Sequence, residues 1–215
     1  MIVTAVERPT RRRRVNVYVD GQFAVALSLE LAAERDVRAG RALTQDEITA
    51  LADEEARRSA LQAALRLVAR CPRSERELRD RLRRRGFAEP AVDAAAGRLQ
   101  EMGYLDDAAF ARFWTETRQA VRPSSQRLVA SELRRKGIAS ETAQEATAEI
   151  SDETAAYDAA SRRLRAFHGL EYQRFRERLG AFLTRRGFSY DVARRTIERC
   201  WAEVSEDESR TSTAP

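Results

Sequence analysis

The sequence predicts an all-α protein, an elongated array of three tandem three-helix repeats preceded by a small N-terminal β-hairpin region. Three observations indicate this fold class. A glycine-centred motif occurs at Gly86, Gly137 and Gly187, and a hairpin signal occurs once, near the amino terminus. Charged residues make up 34% of the chain and aromatic residues 7%. This composition leaves little material for one large core but suits small helical units that each bury a narrow apolar stripe.

The hairpin is predicted from two β-prone runs on either side of Asp20-Gly21. Residues 15–19 alternate valine with polar residues, and the run 22–27 follows the turn. Asp-Gly favours a type I′ turn, because both of its central residues need a positive φ. Since two strands alone are marginally stable, the hairpin must pack on another element or pair with a partner's sheet edge. Residues 29–36 then predict a short helix.

The next helix is predicted to begin at Thr44, because Thr44 and Glu47 have the spacing of a capping box. It runs, with or without a break, to Arg70, and Pro72 ends it. Ser74 with Glu77 predicts a second capping box.

The repeated motif joins a leucine, a basic pair, a glycine and a second apolar residue, at 82–87, 133–138 and 183–188. The glycine is expected at the end of a helix, in the left-handed conformation. Apolar residues also match four positions before each leucine and thirteen after each glycine, which indicates a repeat in pattern. Each repeat is therefore predicted to contain three helices, at 60–70, 74–85 and 89–102, at 108–121, 125–136 and 140–150, and at 154–168, 171–186 and 190–203.

The chain is accordingly divided into six segments. They are a basic flexible arm (1–14), a hairpin with short helices (15–58), repeat 1 (59–105), repeat 2 (106–152), repeat 3 (153–203) and a disordered tail (204–215).

Catalytic, cofactor and metal sites are not expected. Cys71 and Cys200 lie far apart, and no phosphate-binding loop, dinucleotide-binding glycine motif or zinc motif occurs. The pair Asp106-Asp107 invites a metal site, but it directly precedes a helix, where an aspartate caps the first turn; capping is the favoured interpretation. No apolar stretch of signal-peptide or membrane-spanning length occurs, so we expect a cytoplasmic location. We also expect a monomer.

A basic helix face is the candidate contact surface. The chain carries a net charge of +5, which favours polyanionic or acidic partners. On the middle helices of repeats 1 and 2, arginines occupy one angular sector beside the buried leucine stripe, whereas repeat 3 departs from this pattern. The alternative is a solvated face whose charges are balanced by neighbouring carboxylates, and for the amino-terminal run a flexible basic arm. The candidate residues for filament or DNA contact are Arg76, Arg79, Arg83, Arg127 and Arg134, with Arg11, Arg12, Arg13 and Arg14.

Three stretches resemble one known family. Residues 103–107, followed by Phe110, Phe113 and Arg118, are similar to the most recognisable motif of the RecX family. The run 132–138 is similar to its second motif, and residues 74–78 with Leu82, together with the hairpin, resemble further family features.

This resemblance, over about residues 12–203, implies three tandem three-helix repeats and a negative regulator of the RecA recombinase. It implies binding within the groove of the RecA–single-stranded DNA filament and inhibition of ATP hydrolysis, strand exchange and co-protease action. Weak binding to single- or double-stranded DNA stays open, and no membrane partner is expected. A stand-alone DNA-binding protein and a helical scaffold for an unrelated partner are the alternatives.

Overall fold

The structure, a computed structural model, describes residues 1–9 and 14–212. The predicted fold class is confirmed: in the described residues the chain is mostly helical, with one small three-stranded sheet. The strands are β1 (Val3–Glu7), β2 (Arg14–Val19) and β3 (Gln22–Ser28). The helices are α1 (Leu29–Glu34), α2 (Gln45–Val68), α3 (Glu75–Arg83), α4 (Glu89–Glu101), α5 (Asp107–Val121), α6 (Gln126–Arg135), α7 (Ser140–Glu145), α8 (Asp152–Ser161), α9 (Tyr172–Arg185) and α10 (Tyr190–Ser212), with a short 3-10 helix at Leu164–Phe167.

The chain divides into two compact units, Met1–Leu105 and Asp106–Pro215. Unit 1 contains the sheet and the helices α1–α4, and unit 2 contains α5–α10. Among the described residues, buried apolar side chains form four clusters: one under the sheet, one around α2–α4, one around α5–α7 and one around α8–α10.

The sheet is antiparallel, in the order β1-β2-β3. Asp20 has φ 49° and Gly21 has φ 83°, so both central residues of the β2–β3 turn have the positive φ expected of them. Val15, Val17 and Val19 point into the core from β2. The predicted hairpin and its inward face are therefore confirmed.

The amino-terminal segment differs from the flexible arm expected for residues 1–14. Val3–Glu7 forms β1 and pairs with β2, and Val3 is buried opposite Val19. Arg14 is the first residue of β2, and its Nη2 donates a hydrogen bond to the carbonyl oxygen of Ala26 at 3.0 Å. The physical reason is that a two-stranded hairpin is marginal, and the valines of this segment supply a third strand with a buried face. Residues 11–13 lie outside the described residues.

Helix α2 connects the sheet region to repeat 1 within unit 1. Its start has the predicted capping box, with Thr44 and Glu47 each bonded to the other's backbone. Ile48 and Leu51 pack under the sheet, whereas Ala60 and the residues beyond it pack against α3 and α4. One uninterrupted helix therefore contributes to two cores.

A buried carboxylate fixes α2 to the beginning of α1. Glu55 is 6% exposed, and its Oε2 accepts hydrogen bonds from the backbone N–H and the hydroxyl of Ser28, each at 2.8 Å. Its Oε1 accepts a hydrogen bond from the hydroxyl of Ser59 at 2.9 Å. Ser28 is also the N-cap of α1, so the same carboxylate orders the start of a second helix.

We expect Glu55→Ala to lower the free energy of unfolding by about 1–3 kcal/mol, because it leaves buried donors unpaired. Asp53→Ala, at an exposed position of the same helix, is the control and should change it by less than about 0.5 kcal/mol. Urea unfolding followed by circular dichroism measures both values. Equal effects of the two substitutions would show that the Glu55 network contributes nothing of its own.

The predicted helix-ending glycines are confirmed in all three repeats. The φ angles of Gly86, Gly137 and Gly187 are 85°, 94° and 84°. In each case the N–H of the residue after the glycine donates to the carbonyl oxygen of the motif leucine, at 3.3, 3.1 and 3.3 Å respectively. The three leucines, Leu82, Leu133 and Leu183, are fully buried. The pattern therefore encodes one recurring helix end with its apolar anchor.

Three helix boundaries differ from those predicted. Helix α7 ends at Glu145 rather than near residue 150, and α8 ends at Ser161, before the short 3-10 helix. Helix α10 continues to Ser212, so residues 204–212, predicted to be a disordered tail, are helical. The reason lies at Val204, which is 3% exposed and extends the apolar stripe of Ile197 and Cys200 into the repeat 3 core.

Candidate functional site

In repeat 1, two of the three candidate arginines form intramolecular ion pairs. Arg79 contacts Glu75 at 2.7 Å and also contacts Asp93. Arg83 binds Glu89 through two parallel hydrogen bonds of 2.7 and 3.0 Å. These bonds raise the pKa of Arg83 and lower that of the Glu89 carboxyl.

Asp80 is a further partner of Arg83, at 3.1 Å. Arg76 is exposed and has no acidic partner within 4 Å among the described side chains. On repeat 1, therefore, much of the predicted basic face is balanced by carboxylates.

In repeat 2, neither candidate arginine has an ion-pair partner among the described side chains. Arg127 and Arg134 are exposed, and no carboxylate of the described residues lies within ion-pair distance of either. The sequence explains the difference, because each acidic partner found in repeat 1 has a neutral counterpart in repeat 2. Glu75, Asp80, Glu89 and Asp93 correspond to Gln126, Ser131, Ser140 and Gln144, counted from the motif glycines.

The remaining candidates lie in the amino-terminal run. Arg14 belongs to β2, and its Nη2 is 3.4 Å from the buried carboxylate of Glu55. Arg11, Arg12 and Arg13 lie outside the described residues. A contact role for any of the nine arginines stays a prediction.

The first and second of the motifs that carry the family resemblance contact each other in repeat 2. Arg118 of α5 binds Glu132 of α6 through two hydrogen bonds, Nε to Oε2 at 2.8 Å and Nη2 to Oε1 at 2.6 Å. Both side chains are mostly buried, with 17% and 16% of their surface exposed. Burial alone raises the pKa of the Glu132 carboxyl. The hydrogen bonds and charge of Arg118, with smaller contributions from Trp114 and Arg135, outweigh it and hold the pKa below its ordinary value.

A cation–π contact joins the same motifs a second time. The ammonium nitrogen of Lys136 lies 4.0 Å from the centroid of the Trp114 ring and 5.8 Å from that of Phe110. Phe110 is buried in the repeat 2 core. These motif residues therefore fix the packing of α5 on α6.

Two aromatic residues of the first motif are exposed instead. Tyr104, in unit 1, is 58% exposed, and Phe113, in unit 2, is 45% exposed. Neither side chain is needed to fill a core of the described residues, which makes both suitable for contact with a partner.

The first residue of the acidic pair, Asp106, caps α5, as predicted. Oδ1 of Asp106 accepts hydrogen bonds from the backbone N–H groups of Ala108 and Ala109, at 2.8 and 2.9 Å. No cluster of three metal-binding side chains occurs among the side chains that the structure describes. Over the same part of the chain, no helix has the length and apolar character that a membrane span requires.

Comparison with known proteins agrees with the repeat architecture. Models of the RecX three-helix domains match in order: the first at residues 60–99, the second at 106–146 and the third at 151–197. The Regulatory protein RecX of Streptomyces lividans is 36% identical over 146 residues, which cover 66% of this chain and 78% of that protein. The Regulatory protein RecX of Lactobacillus gasseri is 29% identical over 214 residues, which cover 96% and 78% respectively.

Solved structures share the fold. A crystal structure of regulatory protein RecX has a TM-score of 0.64 at 22% identity and covers 89% of this chain and 96% of its own. The crystal structure of RecX from Lactobacillus salivarius has a TM-score of 0.58 at 19% identity, covering 71% and 98%.

The three-helix domains occur in the family's order, and the relatives are named as regulatory proteins. They define the class: this is a regulatory protein and not an enzyme, as the sequence predicted. The family is equally clear from the three matched domains and the relatives. The chain belongs to the RecX family.

Proposed function

We propose that the protein is a negative regulator of the RecA recombinase in the cytoplasm. It binds in the groove of the RecA–single-stranded DNA filament and inhibits ATP hydrolysis, strand exchange and co-protease action. Membership of the RecX family supports regulation of RecA. One observation carries the groove-binding proposal: Arg127 and Arg134 of repeat 2 are exposed and form no ion pair with the described residues.

Unpaired guanidinium groups suit this role because binding need not break an existing ion pair. Arg127 and Arg134 offer planar, bidentate donors to carboxylates of a protein surface or to phosphates. Arg79 and Arg83, in contrast, would first have to leave Asp93 and Glu89. Repeat 2 therefore provides the main contact in this proposal, and repeat 1 contributes through Arg76.

Arg127→Ala/Arg134→Ala is expected to raise the concentration for half-maximal inhibition of RecA's DNA-dependent ATPase by about tenfold. This factor corresponds to about 1.4 kcal/mol, or about 0.7 kcal/mol for each arginine. Arg79→Ala/Arg83→Ala removes the same charge and should raise that concentration by about threefold or less, because those side chains are already paired. Thermal unfolding by circular dichroism checks that both variants stay folded.

Two outcomes would contradict the proposal. One is an absence of inhibition by excess wild-type protein when filaments are intact, which rejects the role itself. The other is an equal loss in both double variants, which rejects the assignment to repeat 2. Co-sedimentation with RecA filaments, compared with DNA alone, distinguishes filament binding from the alternative of a stand-alone DNA-binding protein. That alternative requires that naked DNA retain the protein as well as filaments do, and that the affinity for DNA fall steeply as the salt concentration rises.

A further inference from the structure

Five arginines, none of them among the nine candidate contact residues, surround a cavity of about 390 Å³ in unit 2. Three helix ends bring them together. Arg122, Arg162 and Arg186 are the C-cap residues of α5, α8 and α9. Arg163 and Arg185 lie beside them.

The positive charge of this arginine pocket is not balanced within the described residues. No aspartate or glutamate lines the cavity, and none of the five arginines forms an ion pair there. Burial, followed by the charges of Arg122, Arg118, Arg163 and Arg162, lowers the pKa of Arg186 to about 10. The group stays protonated at neutral pH, but its neighbours oppose that charge.

Helix capping accounts for part of the arrangement. Arg162 donates to the carbonyl oxygens of Ala120 and Val121, at 2.9 and 3.4 Å, and Arg186 donates to that of Pro123 at 2.8 Å. Each helix end contributes about −0.5 elementary charge, so three ends supply about −1.5. Most of the five positive charges therefore remain unmatched, and a bound anion would compensate them.

The cavity favours phosphates over bases. Its aromatic residue, Phe182, already has the guanidinium groups of Arg163 and Arg186 over its ring, 4.9 and 4.8 Å from the centroid. The ring is thereby occupied, whereas single-stranded nucleic acids need open aromatic faces for base stacking.

The basic surface also continues beyond one cavity. A second depression of about 390 Å³ shares Arg163, Phe182 and Arg185 with the first and adds Arg178. Two adjoining basic depressions suit an anion with consecutive charges better than an isolated carboxylate.

We propose that the arginine pocket is a phosphate-binding site between repeats 2 and 3 that holds consecutive phosphates of a nucleic-acid backbone without reading its bases. The proposal does not depend on the action on RecA, because the pocket is complete within unit 2. Binding should be independent of base sequence and strongly dependent on salt.

The test compares two double variants of the full chain. Arg122→Gln/Arg185→Gln removes two pocket arginines for which the structure shows no side-chain hydrogen bond. Arg194→Gln/Arg195→Gln removes the same charge from exposed arginines of α10 that pair with Glu198 and Glu153. Fluorescence anisotropy with labelled oligothymidine and a mixed-sequence single strand measures the dissociation constant across a salt series.

For the pocket variant we expect about tenfold weaker binding of both oligonucleotides. The slope of log affinity against log salt should become shallower by about 1.4, which is two phosphates at about 0.7 each. The α10 variant should match the wild type in affinity and slope. Equal losses in the two variants, or unchanged binding by the pocket variant, would overturn the proposal.

Competition with tripolyphosphate and with polyglutamate identifies the ligand chemistry. Under the proposal, tripolyphosphate competes with the oligonucleotide on the wild-type protein, and polyglutamate of matched charge competes much less. Arginine-dependent binding of polyglutamate as tight as that of DNA would overturn the proposal in favour of an acidic protein surface. Arginine-dependent binding of tripolyphosphate without binding of oligonucleotides would overturn it in favour of a free polyphosphate.

Discussion

Gly187→Ala should lower the free energy of unfolding of unit 2 by about 3 kcal/mol. The φ of 84° costs an alanine about 1–2 kcal/mol. The added Cβ would also lie 2.5 Å from the hydroxyl oxygen of Ser125 and 2.8 Å from Cβ of Leu128, and such overpacking costs about 1–3 kcal/mol more. Urea unfolding followed by tryptophan fluorescence reports on this unit, because both tryptophans of the chain, Trp114 and Trp201, lie in it.

Gly86→Ala is the matched control. Gly86 has a φ of 85°, and a Cβ there would meet no atom within 4 Å. Gly86→Ala should therefore lower the free energy of unfolding only by the cost of the left-handed backbone conformation, about 1–2 kcal/mol. Circular dichroism measures this change, because unit 1 contains no tryptophan. If the two substitutions have equal effects, the close approach at Gly187 makes no energetic contribution.

The larger effect at Gly187 reflects packing between repeats 2 and 3. The backbone N–H of Ser125 donates to the carbonyl oxygen of Arg186 at 3.0 Å, so the end of α9 lies against the beginning of α6. A Cβ at position 187 would push these two backbones apart. The same glycine thus has a second function in repeat 3 that the repeated motif does not reveal.

Local structure was predictable where one short stretch of sequence determines it. The Asp20-Gly21 turn, the Thr44–Glu47 capping box and the Asp106 cap each depend on residues within four positions of one another. The three glycine helix ends also depend on local geometry, together with one buried leucine each. All of these predictions are confirmed.

Features that depend on contacts distant in sequence were missed. Strand β1 needs β2 and the underlying core, and α10 extends because Val204 reaches a core formed by α8 and α9. The β-branched residues Val3, Thr4 and Val6 were the available signal for β1, and the spacing of Val204 after Ile197 was the signal for α10.

The candidate surface was predictable in position but not in pairing. Helical periodicity located four of the five candidate arginines of α3 and α6 on an exposed face, whereas the fifth, Arg79, is half-buried. The bond from Arg83 to Glu89 spans a helix end and a turn, so a helical wheel cannot show it. The arginine pocket left no pattern at all, since its residues come from three helix ends more than twenty residues apart.

Arg118→Met should destabilise unit 2 by about 3 kcal/mol at neutral pH. The substitution leaves the mostly buried Glu132 carboxylate without its bidentate partner, and breaking a buried pair from one side typically costs about 3–5 kcal/mol. Arg112→Met, on the exposed face of the same helix, is the control and should cost less than about 0.5 kcal/mol. Tryptophan fluorescence in urea measures both variants.

The pH dependence distinguishes this ion pair from simple loss of packing. In the wild type the pKa of Glu132 is lower in the folded state than in the unfolded state, so its stabilising contribution is complete above the ordinary carboxyl pKa and is lost as pH falls through the lowered value. In Arg118→Met, burial without the arginine raises that pKa, so acid protonates Glu132 and relieves the uncompensated charge. The difference in unfolding free energy between wild type and Arg118→Met should therefore be largest near pH 7 and shrink towards about pH 4. A difference that is the same at both pH values would mean that Arg118 stabilises α5 and α6 through its apolar stem and not through its charge.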